Sequence, residues 1–268
     1  MSQRKRLSAS QNKAAAAAAN RSREESDDDE DVSLTQPSSS QVQRARESFT
    51  PIQIDRKVAE VVQFILIKDQ RKVPIRRADI AKHVIKEYRS MYQDIMKRVI
   101  RTFDQTFGLK LVEIDPKSHV YILVNKLEAM PEEPVSMIPA NPKHGLLFTI
   151  LSVIFMKGGV VKEALIWNFL KKLRVDPGER HDIFGDVKKL VTDEFVRQKY
   201  IEYVRIPHTE PMEFELRWGV RADKEINKKK LLETVGELFD QEPSSWSQQY
   251  REANAAEAQS QTQSQSQR

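Results

Sequence analysis

Gly145–Met156 reads GLLFTILSVIFM, twelve residues without a charge and apolar at every position except Gly145, Thr149 and Ser152. A membrane span needs roughly 20 such residues, so the run predicts a helix buried in a folded domain. A surface helix needs one apolar stripe, whereas this run is apolar nearly all round. It therefore has to be covered on more than its core side, by the rest of the protein or by a partner. The elements that follow, as far as Phe239, read as its wrapping.

Gly158-Gly159 ends that helix, Val160-Val161 is a short extended piece, and Lys162–Leu173 is a second helix. Phe184–Gln198 is a third, with Phe184, Val187, Leu190, Val191 and Phe195 at helical spacing on its inner side. Strands Tyr200–Ile206 and Met212–Trp218 follow, separated by a turn containing Pro207 and Pro211. Helix, short strand, helix, helix and hairpin is the order of a winged helix.

The same order occurs upstream. Asp55–Lys68 carries Val58, Val61, Val62, Ile65 and Leu66 at helical spacing, and Val73-Pro74-Ile75 interrupts it, because Pro74 forces an extended residue before it. Arg76–Tyr88 turns Ile80, Val84 and Ile85 inward; Met91–Phe107 does so with Ile95, Val99, Ile100, Phe103 and Phe107, and Gly108 stops it. Leu109–Ile114 and His119–Val124 alternate with period two around a Pro116 turn. Ile75–Ile80 overlays Val161–Ile166 at an offset of 86; Asp94–Phe103 overlays Asp186–Phe195, and Leu109–Ile114 overlays Ile201–Ile206, both at 92. Such an internal repeat is stronger evidence than either half alone.

The chain thus reads as mainly α with small β-hairpins, an α+β arrangement of tandem winged-helix domains flanked by disordered tails. Residues 1–50 are expected to be a tail, 51–134 the first winged helix, 135–144 a Pro-marked linker, 145–240 the second winged helix with a C-terminal helix, and 241–268 a second tail. The tails rest on composition: an Ala run at Ala14–Ala19, the acidic Glu24–Asp31, and a Gln/Ser tract at the end. Ser26, ahead of further acidic residues, would suit an acid-directed kinase, although a solvated spacer is the simpler reading. The C-terminal helix is expected over Arg221–Phe239, with Leu231, Val235, Leu238 and Phe239 as a stripe that packs on the second domain or fills a partner's groove.

Among 268 residues there are 44 Lys and Arg against 39 Asp and Glu, a net charge of +5 that suits nucleic acid and an ordinary soluble domain equally. The absence of Cys excludes disulfides, thiolate metal sites and a Cys nucleophile. The five His are scattered without zinc-ligand spacing, Gly158-Gly159 lacks the Lys of a phosphate loop, and no G-x-S-x-G occurs. Neither catalysis nor a metal or other cofactor is expected. The basic start has no apolar run after it, so no secretory signal is expected and the chain reads as cytoplasmic or nuclear.

A winged helix can lay its third helix in a DNA groove with the wing on the backbone. On that geometry Lys188 and Lys189 lie on the outer side of the third helix, Arg197 and Lys199 at its exit, and Arg205 and Arg217 on the hairpin. Lys97, Arg98 and Arg101 occupy the matching place in the first domain. Asp186, Asp193 and Glu194 share the helix and oppose phosphate, so weak, sequence-tolerant duplex binding stands beside a merely solvated face. On the first helix, Phe64, Ile65, Leu66 and Ile67 are consecutive, more than one stripe can bury, which leaves apolar surface for a partner.

The runs QFILIKDQRKVPIRRADIAKHVI (63–85), GLLFTILSVIFMKGGVVKEALIWNFL (145–170) and FGDVKKLVTDEFVRQKYIEYVRIPHTEPMEFELRWG (184–219) resemble the MAGE homology domain, over about residues 52–243. Within that family the resemblance is to the branch serving the Smc five/six complex. It implies a non-catalytic, nuclear, chromatin-associated scaffold in DNA repair by homologous recombination. It also implies a RING-finger ubiquitin-ligase subunit bound and stimulated through the first domain, a kleisin subunit bound through the second, and indirect association with the Smc five/six heterodimer. Double-stranded DNA bound by the assembly is a further implication. The family's dileucine for the RING partner falls on Ile65-Leu66, and the kleisin surface on the last helix at Leu231, Leu232 and Val235. A necdin-like regulator of transcription factors or other ligases is the alternative within the same resemblance.

Overall fold

The computed structural model describes residues 49–126 and 141–265, with side chains to 258. A reciprocal cap opens the first helix: the Gln53 N–H donates to the Thr50 hydroxyl while the Thr50 N–H donates to Gln53 Oε1. With Pro51 in its first turn, helix α1 runs Pro51–Gln70 and buries Ile54, Val58, Val61, Val62 and Ile65. Strand β1 (Ile75–Arg76) leads into α2, which starts at Arg77–Asp79 and continues through wider turns at Ile80–Ile85 and tighter ones at Lys86–Met91. Helix α3 spans Tyr92–Thr102 and a last wide stretch, Phe103–Phe107, before left-handed Gly108. The hairpin β2 (Leu109–Asp115) and β3 (Val120–Asn125) closes the unit, with β1 on the far edge of β3 in the order β1-β3-β2.

The second unit repeats this plan. The Asn141 side chain accepts from the Lys143 N–H and Pro142 occupies the first turn, so α4 runs Pro142–Met156, starting three residues ahead of the apolar run. Strand β4 (Val160–Lys162), α5 (Glu163–Lys172) and a small hairpin, β5 (Arg180–His181) with β6 (Gly185–Asp186), come next. Helix α6 starts at Val187–Lys189 under an Asp186 cap and continues through Leu190–Glu194 to Phe195–Arg197. Strands β7 (Ile201–Arg205) and β8 (Phe214–Trp218) form the wing, ordered β4-β8-β7. The offset of 92 holds in space: β2 starts at Leu109 and β7 at Ile201, while Val99 and Phe103 are buried as Val191 and Phe195 are.

Five sequence expectations change. Ile100 and Phe107, read as inward, are exposed. Phe184 lies half-buried at the β5–β6 hairpin, ahead of the third helix rather than within it. The single helix expected over Arg221–Phe239 is two, α7 (Val220–Glu225) and α8 (Lys228–Phe239), because Asn227 is extended and its side chain accepts from the Lys229 and Lys230 N–H groups. Of its stripe, Leu231 and Val235 are buried, but Leu238 is 75% and Phe239 68% exposed. Finally, Ser247–Gln265, expected as part of a tail, forms helix α9 after a short turn at Pro243–Ser245. The expected first tail and the linker core lie outside the described residues.

The all-round apolar character of α4 is resolved by two covers. Leu146, Leu147, Ile150, Leu151 and Ile154 pack into the second domain's core with Ile166, Leu190, Phe195 and Leu216. Phe155, with Phe148 and Met156 beside it, packs against α8 and Ala253 of α9. The second cover is the chain's own C-terminal pair of helices, not the first domain.

Candidate partner and nucleic-acid surfaces

The two winged helices meet at Arg221, a fully buried arginine on α7. Its Nε donates to the Gln198 carbonyl at 2.8 Å, Nη1 to Glu225 Oε1 at 2.8 Å, and Nη2 to the Lys72 carbonyl at 3.1 Å. Asp69 Oδ1 stands 3.8 Å from Nη1, an electrostatic contact beyond hydrogen-bond reach. The Gln198 amide also donates to the Arg71 carbonyl at 3.3 Å. The C-terminal end of α1 is thereby closed by donors from the second domain, where a helix end favours positive charge. The Tyr200 phenol, 2.5 Å from Glu225 Oε2, has its pKa pushed upward by burial and then by the Glu225 charge, so it stays a donor. A buried charge is tolerable because each of the three guanidinium nitrogens donates to an acceptor. Composition carries no sign of this, since an isolated Arg in a helix reads as solvated.

The residues expected to meet the kleisin, Leu231, Leu232 and Val235, are buried. With Phe155 they form an apolar face flanked by Phe148, Met156, Trp218 and Ile226, and Ala253 and Trp246 lie over it. Ion pairs tie the cover down: Lys228 Nζ to Glu252 at 2.8 Å and Lys229 Nζ to Glu257 at 3.1 Å. Hydrogen bonding to Glu257 and then its charge raise the Lys229 pKa. The Lys228 ammonium also sits 5.1 Å from the Trp218 ring centre, and the Gln249 amide donates to the Met156 carbonyl.

On α1, the expected RING-partner pair divides. Ile65 is fully buried in the first domain's core, so it cannot offer a surface; Leu66 is half-buried against the same core. The apolar residues that α1 leaves outward are Ile52 and Ile67, 81% and 56% exposed. The expected pair marks one buried turn of the helix plus the border of its outer side.

The six basic residues are all exposed but do not form one patch. Lys188 and Lys189 start α6 and have no ion-pair partner among the described residues. Arg197, about 14 Å further along at helical rise, is 3.9 Å from Asp193. Lys199 occupies the left-handed turn into β7. Arg217 on β8 faces Glu202 across the ladder and pairs with Glu215 on its own strand, which offsets its charge. Arg205 is three residues from Glu202 along β7 and so lies on the other face of the wing. In the first domain Arg98 is paired with Asp55 at 2.6 Å.

Among the described residues no group of His, Asp and Glu could hold a metal ion, and no helix is long and apolar enough to cross a membrane. The polar network of the second core, in which Tyr203 and Trp167 both donate to Glu163 at 2.8 Å, joins the wing to α5.

Residues 61–229 match the model of the MAGE homology domain. The human non-structural maintenance of chromosomes element 3 homolog is 50% identical over 207 residues, covering 76% of this chain and 68% of that protein. Its mouse counterpart is 49% identical over 210 residues, covering 78% and 75%. Human melanoma-associated antigen D2 is 44% identical over 198 residues, 74% of this chain but 33% of that protein. A chain of the solved Nse1-Nse3-Nse4 complex aligns with a TM-score of 0.73 at 52% identity, covering 77% of this chain and 100% of that one. The chain belongs to the MAGE homology domain family.

Proposed function

We propose that the chain is a non-catalytic scaffold subunit of the Smc five/six chromosome-maintenance complex, acting on nuclear chromatin in DNA repair by homologous recombination. The observation that carries this reading is the likeness, at 52% identity, to the whole of one chain of the Nse1-Nse3-Nse4 complex. In that role the first winged helix receives the RING-finger ubiquitin-ligase subunit on the outer side of α1, through Leu66 and Ile67. The second receives the kleisin on the apolar face of α4 and α8, at Leu231, Leu232 and Val235. Binding stimulates the ligase by fixing its geometry, and Lys188 and Lys189 hold duplex DNA without base readout. The Smc heterodimer is reached through the kleisin.

Affinity purification of the full chain with mass spectrometry tests this. Recovery of Smc, kleisin and RING subunits together is the expected result. The 44% identity to melanoma-associated antigen D2 keeps a second reading in view, a necdin-like regulator outside any SMC complex. Recovery of transcription factors or other ligases without Smc subunits would establish that reading instead.

A further inference from the structure

The face beneath α9 and the helix that covers it are mismatched. Below lie Phe155, Leu231, Leu232 and Val235, all buried, with Phe148 and Met156 alongside. Above, Ser247–Gln265 is mostly polar, SQQYREANAAEAQSQTQSQ, and among the described side chains, which reach residue 258, it brings to the contact one buried methyl side chain, Ala253, with half-buried Trp246 ahead of it. Among the described residues, polar contacts partly open to water also hold α9: Lys228 to Glu252, Lys229 to Glu257, and the Gln249 amide to the Met156 carbonyl. Partly exposed ion pairs contribute little, and a helix of this composition is marginal by itself. A large apolar face is therefore held closed by a weak cover.

We infer that α9 is a resident, displaceable cover over the face of Phe155, Leu231, Leu232 and Val235, which an amphipathic helix of the kleisin has to dislodge to dock there. The inference rests on the reading that the kleisin uses this face. α9 itself demonstrates that a helix fits there. The chemistry of the incoming segment follows from what α9 lacks and what it supplies. It carries large aliphatic or aromatic side chains where α9 has Ala253, and carboxylates placed to take over Lys228 and Lys229 from Glu252 and Glu257. An occupied site lowers apparent affinity by the fraction of molecules that are open, so α9 sets a threshold that a weak or wrong helix does not pass.

The chain has no Cys, so Lys229→Cys with Glu257→Cys gives a full-length protein whose only two thiols a short bis-maleimide can bridge. Calorimetry with purified kleisin subunit should show binding to the unbridged protein and at least a hundredfold weaker binding once bridged. Glu252→Lys with Glu257→Lys should tighten binding about tenfold by opening the cover. Hydrogen exchange on the complex reads the same event without a variant: amides of α9 exchange faster on kleisin binding while Leu231–Val235 stay protected. Equal affinity with and without the bridge, or α9 amides slowed by the kleisin, would overturn the cover while leaving the face as the kleisin site. Unchanged exchange in both α8 and α9 on a complex that does form would overturn the face as well.

Discussion

Nη2 of Arg221 donates to the carbonyl of Lys72 at 3.1 Å, joining the second residue past the first domain's leading helix to a side chain 149 positions later. The same guanidinium holds Glu225 and the Gln198 carbonyl, so one buried charge serves as core of the second unit and clasp to the first. Arg221→Ala would remove the cation and leave the carboxylates of Glu225 and Asp69 facing each other. Breaking a buried pair from one side costs about 3–5 kcal/mol. The expected outcome in a calorimetric scan is a lower first transition and separation of the melt into two, with increased protease cleavage between the units. Arg221→Lys should not restore the single transition, because an ammonium cannot reach Gln198, Lys72 and Glu225 in fixed fork geometry.

Duplex binding should depend unevenly on the six basic residues. Lys188→Glu with Lys189→Glu removes two cations at the start of α6 that have no ion-pair partner among the described residues. Weakening should be similar for unrelated sequences, with the log–log salt slope falling by about 1.8, two contacts at about 0.9 each. Arg217→Gln should alter the slope far less, since Glu215 on its own strand and Glu202 across the ladder already offset its charge. Fluorescence anisotropy across a salt series, with the two variants side by side, makes the comparison. Equal slopes for both would move the DNA contact off α6.

How far the chain was legible follows from the range of each signal. Period and turn residues are local, so the offset of 92 that places Leu109 over Ile201 and Phe103 over Phe195 was readable and holds in the sheets and cores. A stripe says which side of a helix is apolar but not where its cover ends: Leu231 and Val235 are covered, Leu238 and Phe239 are not. Gln/Ser composition reads as tail because the surface on which Ala253 of α9 packs, Phe155 of α4 with Leu231 and Leu232 of α8, comes from helices more than 20 residues earlier. The basic candidates were legible as residue types and positions. Asp193 beside Arg197 was legible at helical spacing, but Glu202 across from Arg217 emerges only with strand register.

The division of Ile65 from its neighbours makes the RING surface testable without unfolding the domain. Ile65→Ala empties a fully buried site, and such a deletion costs about 2–5 kcal/mol. Loss of a partner from that variant would report instability as readily as contact. Ile67→Asp changes only the outer side of α1, so its melting temperature should stay within a degree or two of the unaltered chain. Co-purification of the RING subunit should nevertheless be lost. A variant that melts normally and still retains that subunit would place the contact on another element.

Gly219 links the wing to the clasp, and its lack of a side chain is what permits this. Its N–H donates to the Tyr200 carbonyl at 2.8 Å, and the Arg221 N–H donates to the Lys199 carbonyl at 3.0 Å, so the turn from β8 into α7 lies directly against the start of β7. A Cβ at 219 would fall inside contact distance of the Lys199 carbonyl oxygen, which is backbone and cannot swing aside. Gly219→Ala therefore has to push α7 outward, at a cost of about 1–3 kcal/mol for an overpacked site. Because α7 carries Arg221, the displacement also draws the guanidinium away from Lys72 and Asp69. The expected phenotype is that of Arg221→Ala, a melt split in two and exposed cleavage sites between the units, from a residue that touches neither Lys72 nor Asp69. A Gly219→Ala protein that melts in one transition at the original temperature would show that the turn has room, and that Arg221 holds the two domains without this close approach.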